Sequence, residues 1–432
     1  MPFHPLGLLG YAVLLMLAFC MGENRGRIPW RLVTIGTLLQ AGIAACILKI
    51  PGVMDVFEGA AWLVDRLIAQ SDAGIAFLFG NELGRPTGPW GFIFAVKVLP
   101  IIVFFASLMS VLYHLKVMQR LVAGLAWLMR RTLGVTGSEA MCMAAGIFLG
   151  QTEAPLTVRP LIGSMTRAQL MTVMVGGFAN IAGSVLGAYV LMLGGDDPAQ
   201  RVLYAKHLMA SSVMSAPAAF VIARMLVPET ETPPPEDAAT LLSGSVNQEP
   251  ATNVFDAAAL GATDGLKLAA NVGAMLVAFV SLLAVINWAL AGLGGLAGAP
   301  NLSLEMILGR LFAPLAWTMS VPWEESHVVG SLLGQKLVAT EFVAYTNLAS
   351  MMHPAPLADG SVPAPALSPR SAQIAAYALC GFSNFASIAI QIGGLTILAP
   401  HRRKDFSSLA LRAMLGGALA TQMTACVASL FI

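Results

Sequence analysis

Apolar residues run through this chain in blocks long enough to span a bilayer, and the polar positions fall mostly in the gaps between them. Crossing a hydrocarbon core of about 30 Å takes roughly 20 predominantly apolar helical residues. Runs of that kind occur near 7–22, 32–49, 89–113, 168–193, 202–227, 267–294, 371–399 and 405–431, which predicts eight transmembrane helices. Residues 52–81 and 117–132 instead alternate apolar and charged positions at helical spacing, as helices lying in the interface do. Residues 137–163 and 323–349 are apolar at both ends with polar, Gly- or Thr-containing centres. They predict re-entrant hairpins, tolerable at membrane depth only where protein or a cavity surrounds them. The stretch "PETETPPPEDAATLLSGSVNQEP", 228–250, has the composition of a disordered loop.

Composition agrees with an all-α polytopic membrane protein. Of 432 residues, 57% are hydrophobic and only 11% charged, with mean hydropathy +0.76. Soluble domains carry about 25% charged residues. A net charge of +1 without basic, aromatic-interleaved runs gives no sign of nucleic acid. The five cysteines lie scattered in apolar stretches and read as free thiols. The histidines lack HExxH or other metal-ligand spacing. Residues 7–22 have no positive n-region before them, so they read as a first span rather than a signal peptide. Basic clusters at 23–31, 114–120, 130–131 and 401–404 share one side of an eight-span chain, and the acidic 194–200 takes the other. The positive-inside rule then places both termini outside the cytoplasm and 228–250 within it. Lys97, two turns inside its span, is expected to snorkel to the interface, with an ion pair in the domain interface as the next reading.

A duplication carries the chemistry. "GFANIAGS" at 177–184 and "GFSNFASI" at 381–388 both read Gly-Phe-x-Asn-x-Ala and interrupt apolar spans. Each follows a Thr-Glu pair inside a candidate hairpin, Thr152-Glu153 and Thr340-Glu341. Three spans separate the copies, so the second enters from the opposite face, the inverted repeat typical of secondary transporters. Unwinding frees carbonyls that can hold a cation, and Asn180 and Asn384 add amides that donate and accept. Glu153 and Glu341 offer strong acceptors to a neutral, hydroxyl-rich ligand and would repel an anion. A Glu at bilayer depth costs roughly 2.5–3.5 kcal/mol on insertion scales, which makes it a functional candidate. The competing readings are a structural ion pair between Glu153 and Arg159 or Arg167, a membrane-embedded hydrolase using both glutamates, and a passive pore. The hydrolase lacks a supporting His/Asp/Ser cluster, so the chain reads as no enzyme.

Four blocks resemble the signature segments of the concentrative nucleoside transporters: "GIFLGQTEAPLTVRP", "MTVMVGGFANIAGSVLGAYV", "GQKLVATEFVAY" and "ALCGFSNFASIAIQIGG". The resemblance runs in order over most of 90–430. It implies a homotrimer in the bacterial inner membrane and elevator-type symport of uridine-like nucleosides down a cation gradient, with no cofactor beyond the coupling ion. Residues 1–113 would be N-terminal scaffold helices, and 114–200 the first transport repeat. Residues 201–320 would be connecting helices with scaffold helix 267–294, and 321–432 the second transport repeat and last helix. By resemblance Gln151, Thr152, Glu153 and Val185 hold the nucleobase. Glu341, Asn384, Ser387 and Phe382 hold the ribose.

One departure concerns the ion. Where sodium-coupled members of that family have a sodium-ligating Asn, this chain has Gly146; where they have Ser or Thr, it has Asn180. Asn180 could complete a sodium site with the carbonyls of Leu149 and Ile181. Alternatively the site is lost and protons drive transport, with Glu153 or Glu341 as carrier, which is the reading favoured. A nucleobase carrier is a more distant alternative.

Overall fold

The computed structural model describes residues 5–83, 93–236, 251–296, 298, 301–354 and 363–432, and every regular element among them is helical. The first helices are α1 (Leu6–Met21), α2 (Trp30–Lys49) and the 33-residue α3 (Pro51–Leu83). Next come α4 (Phe94–Lys97), α5 (Leu99–His114) and α6 (Val117–Leu133). The first hairpin consists of α7 (Gly137–Gly146), a 3-10 turn (Ala154–Val158) and α8 (Arg159–Ile162). The helix after it is broken into α9 (Arg167–Ala179) and α10 (Gly183–Gly194). Helices α11 (Pro198–Leu226), α12 (Val254–Leu296) and α13 (Leu304–Thr318) lead to a second hairpin, α14 (Trp323–Val338) and α15 (Glu341–Met352). A second broken helix, α16 (Pro369–Leu379) and α17 (Phe385–Leu398), precedes α18 (Arg403–Ser429).

Every predicted span has a helix, but they are not alike. Among the described residues, five segments are long and apolar enough to cross a membrane: 30–49, 94–114, 167–194, 198–226 and 254–296. A bent pair, 304–338, makes a sixth if counted as one span, its halves meeting at 117°. Helices α1 and α17 are apolar but shorter. Helix α18 is rich in Ala, Gly, Ser and Thr, and it is buried along most of its length against α1, α9, α11, α16 and α17. Small residues there let the backbones approach closely. The predicted span 267–294 lies within a helix of 43 residues, about 65 Å long at 1.5 Å per residue. It packs along α5 and leaves most of its surface exposed. The interfacial helix α6 buries one stripe, Met118, Val122, Ala126, Met129 and Leu133, as its pattern requires.

Charge ties the outer helices to the core. Glu58, Asp65 and Asp72 lie seven residues apart on α3, so two turns separate each from the next and all three share a stripe. Glu58 meets Lys206 of α11 at 2.7 Å, Asp65 meets Arg201 of α11 at 2.6 Å, and Asp72 meets Lys97 of α4 at 2.6 Å. Lys97 therefore does not snorkel. It is 8% exposed, because α3 crosses its path and supplies the counter-charge that a buried ammonium requires.

The acidic connector also departs from expectation in its first part. Glu229 accepts from Thr166 at 2.8 Å and Arg224 at 3.4 Å, while Arg224 pairs with the buried Glu139 at 2.6 Å. Glu236 accepts the Ser138 N–H at 3.1 Å in the first turn of α7, where helix-dipole charge favours an anion. These bonds hold 228–236 in place. Residues 237–250 lie outside the described residues.

At the α1–α2 corner, Glu23 pairs with Arg167 at 2.9 Å and with Arg412. The hydrogen bond from Arg167, joined by the two guanidinium charges, holds the Glu23 carboxyl below the usual range against the opposing effect of burial.

Two outcomes follow. Asp65→Asn and Arg201→Gln should each lower the thermal stability of the detergent-solubilised protein. Breaking a buried pair on one side costs on the order of 3–5 kcal/mol. The double variant should lose less than the sum of the two losses; strict additivity would show that the pair is uncoupled. Glu23 has a depressed folded-state pKa, so its contribution is present above about pH 4.3 and disappears as pH falls through the folded value. Acid unfolding profiles of the parent and Glu23→Gln should therefore converge at low pH and separate above it.

Candidate functional site

The second hairpin and second break meet at Glu341. Thr340 caps α15 by accepting the Val343 N–H at 3.4 Å. That cap fixes Glu341 as the first helical residue, 3% exposed. Its Oε2 accepts from Asn384 Nδ2 at 2.9 Å and its Oε1 from Tyr189 Oη at 3.0 Å. Asn384 in turn caps α17, its Oδ1 accepting the Ser387 N–H at 2.8 Å. Glu341, Asn384 and Ser387 are thus brought together and buried, with half-buried Phe382 at the same break. Tyr189 belongs to the first repeat and was not singled out from the sequence. Nothing in an apolar helix marks one tyrosine as a carboxylate partner. Its ring packs 4.6 Å from that of Tyr345 and 4.7 Å from that of Phe342. Tyr345 has a packing role and donates to the Ala376 carbonyl at 2.8 Å.

The first hairpin presents Gln151, Thr152 and Glu153 in the turn after α7. Glu153 folds back to accept the Gly150 N–H at 3.2 Å, and its side chain is exposed. It makes no ion pair with Arg159 or Arg167; Arg167 is held by Glu23. Gln151 is 7% exposed, and its Oε1 has no hydrogen-bond partner among the described residues. Val185, 1% exposed, lies near the start of α10. Thr152 packs on α17, since a Cβ added to Gly394 would stand 2.7 Å from Thr152 Cγ2.

The two breaks rest on each other. Ser383 Oγ donates to the Phe178 carbonyl at 2.8 Å. Gly381 has φ +150°, and a Cβ there would stand 2.7 Å from the same carbonyl oxygen. Only glycine suits both that conformation and that approach. Helix α17 thereby touches both groups of predicted residues, carrying Asn384 and Ser387 at its start and meeting Thr152 further along.

The two Gly-Phe-x-Asn copies are used differently. Asn384 caps the helix that follows it, whereas Asn180 turns back on the helix before it. Asn180 Nδ2 donates to the Gly176 carbonyl at 3.1 Å, and Oδ1 accepts from Ser215 Oγ. A carbonyl cannot donate, so Gly176 fixes which end of the amide faces it. A Cβ added to Gly146 would stand 3.3 Å from that same Nδ2. The N–H end of Asn180 therefore borders the space that Gly146 leaves. Leu149 and Ile181 adjoin the same junction, where the Gly183 N–H bonds the Phe148 carbonyl at 2.7 Å.

A further buried group was not anticipated. Lys336, 2% exposed, donates to the Ala378 carbonyl at 2.9 Å and to Thr421 Oγ1 at 3.0 Å. It places a cation at the C-terminal end of α16, where the helix dipole is negative.

Three family descriptions match the chain in order: Na+ dependent nucleoside transporter N-terminus over residues 9–82, nucleoside recognition (Gate) over 95–196, and Na+ dependent nucleoside transporter C-terminus over 207–429. An uncharacterized transporter of Haemophilus influenzae is 43% identical, covering 98% of this chain and 97% of its own. Sodium/nucleoside cotransporter 1 of Mus musculus is 39% identical over 98% of this chain and 63% of that longer protein. Among solved structures, CNTnw in an inward-facing substrate-bound state matches with TM-score 0.89 and 42% identity, covering 99% of this chain and 97% of that one. A CNTnw variant in an outward-facing state matches with TM-score 0.88 and 42% identity over the same shares. The fold is thus shared over nearly the whole chain with CNTnw, the nucleoside transporter descriptions match most of its length, and the chain belongs to the concentrative nucleoside transporter family as a transporter, not an enzyme.

Proposed function

We propose that this protein carries nucleosides into the cell across the bacterial inner membrane by proton-coupled symport. The observation that carries the nucleoside reading is Glu341, a buried carboxylate on a hairpin tip whose partners come from both repeats. Ribose hydroxyls entering there find Glu341, Asn384 and Ser387 already ordered, with Phe382 beside them. Gln151, Thr152, Glu153 and Val185 form the base side. Residues 1–113 and helix 267–294 act as scaffold, the segments 114–200 and 321–432 as the moving unit, and three copies assemble in the membrane.

Asn180 supports the proton reading. A sodium ion needs oxygen ligands, but the amide end bordering Gly146 carries protons, and the oxygen is engaged by Ser215. An N–H group repels a cation, which supports the proton reading. Glu153 is the better placed carrier. Glu341 has a donor on each carboxylate oxygen and is satisfied without a proton, whereas Glu153 accepts a single backbone hydrogen bond and is accessible. The family's description as Na+ dependent supports the second reading, in which Asn180 turns its oxygen round to complete a sodium site.

Labelled uridine uptake into proteoliposomes separates these readings. Accumulation should follow an inward proton gradient without sodium, and Glu153→Gln should abolish it while downhill exchange persists. Accumulation driven by sodium alone would overturn the proton assignment, and no accumulation under either gradient would overturn symport. Glu341→Gln replaces one of the two acceptor oxygens by an N–H, which Tyr189 can meet by turning its hydroxyl to accept, and so leaves a ribose hydroxyl short of an acceptor. Uridine affinity should fall about tenfold or more by calorimetry; unchanged affinity would remove Glu341 from the ribose pocket.

A further inference from the structure

Helix α17 carries a polar stripe that the nucleoside-binding residues do not exhaust. Ser387, Gln391 and Gly394 are spaced i, i+4, i+7 and share a face. Gln391 lies one turn beyond Ser387 and is 1% exposed. Its Nε2 donates to the Met174 carbonyl at 3.0 Å, but its Oε1 is buried without a partner. Gln151 on the first hairpin is in the same condition, its Oε1 also buried and unpartnered. Both side chains pack on one glycine. A Cβ added to Gly177 would stand 2.5 Å from Gln391 Nε2 and 3.1 Å from Gln151 Cβ. The absence of a side chain at 177 is what admits both glutamines to this space.

We propose that Gln391 is a positioning residue that sets the donor–acceptor sense of the Gln151 carboxamide, and through it the nucleobase edge the site prefers. The inference rests on the nucleoside reading above and on Gln151 facing the base. The two side chains meet at Gly177, and each carries a buried amide oxygen that folding leaves unpaired. Gln391 cannot turn over, because its oxygen would then face the Met174 carbonyl. Gln151 has no such anchor. A half-turn of its amide, which leaves its shape unchanged, offers Nε2 to Gln391 Oε1 and directs Oε1 toward the ligand. One rotation thus satisfies both orphaned oxygens. Bound this way, Gln151 presents an acceptor. It favours a base carrying an exocyclic amino group at the edge it reads, as in cytidine and adenosine, over a base with a carbonyl there, as in uridine.

The test is the ratio of initial uptake rates for labelled cytidine and uridine, each below half-saturation, in proteoliposomes of the full-length protein. The parent should favour cytidine by about tenfold, the size of one hydrogen bond made against one mispaired. Gln391→Met removes the acceptor that orients Gln151, and the ratio should collapse toward one. Gln391→Glu loses the bond to Met174 but keeps an oxygen toward Gln151, so the preference should survive at lower thermal stability. A structural role alone would lower both rates together and leave the ratio intact. Should Gln391→Met not fold, the parent and Gln391→Glu still decide. A parent without preference for cytidine, or a preference unchanged in Gln391→Met, overturns the proposal alone. Absence of uptake of either nucleoside overturns the transport reading and the proposal with it.

Discussion

A helix interrupted inside a dry interior leaves carbonyls and amides that water cannot reach, and the centre of this protein is organised around satisfying them. Unpaired backbone groups at membrane depth each cost several kcal/mol. The carbonyls three residues before Gly177 and Gly381 occupy matching positions in the two repeats. One is met by Gln391 and the other by Lys336, both buried side chains from outside the broken helix concerned. Asn180 closes the Gly176 carbonyl and Ser383 closes that of Phe178, the second joining one break to the other. The breaks are therefore held by specific donors, and each donor fixes the geometry of a neighbouring site.

From that constraint the asymmetry of the repeats follows. The second break uses its Asn as a helix cap, which leaves the amide N–H for Glu341. The first uses its Asn to finish the preceding helix, which turns N–H toward Gly146. The shared Gly-Phe-x-Asn motif thus places opposite polarity at the two junctions: an ordered acceptor at Glu341, where sugar hydroxyls are proposed to bind, and an N–H donor beside Gly146. One duplicated element yields two different polar junctions through the choice of which helix the asparagine serves.

The sequence made the large elements legible because membrane insertion imposes a length and an apolarity on each of them. The Thr-Glu pairs and the repeated Gly-Phe-x-Asn stood out because polar residues in apolar runs are costly and few. The remainder depended on three-dimensional partners. Tyr189, Gln391 and Ser215 sit in segments whose periodicity gives no reason to prefer them, and their roles come from helices distant in sequence. The ion pair of Lys97 ranks behind snorkelling in the sequence for the same reason: its partner Asp72 lies 25 residues away on another helix. The order of 228–236 escaped notice because composition describes a segment without the surface it lands on.

The seven-residue spacing of Glu58, Asp65 and Asp72 limits how α3 can vary in length. Inserting or deleting a single residue between them rotates everything beyond by about 100°. That would swing one carboxylate off the stripe and strand its basic partner. Changes of a whole heptad keep the face but displace the contact by about 10 Å along the axis. Helix α3 is thus metrically fixed from Glu58 to Asp72, and only its ends can change length without breaking these pairs.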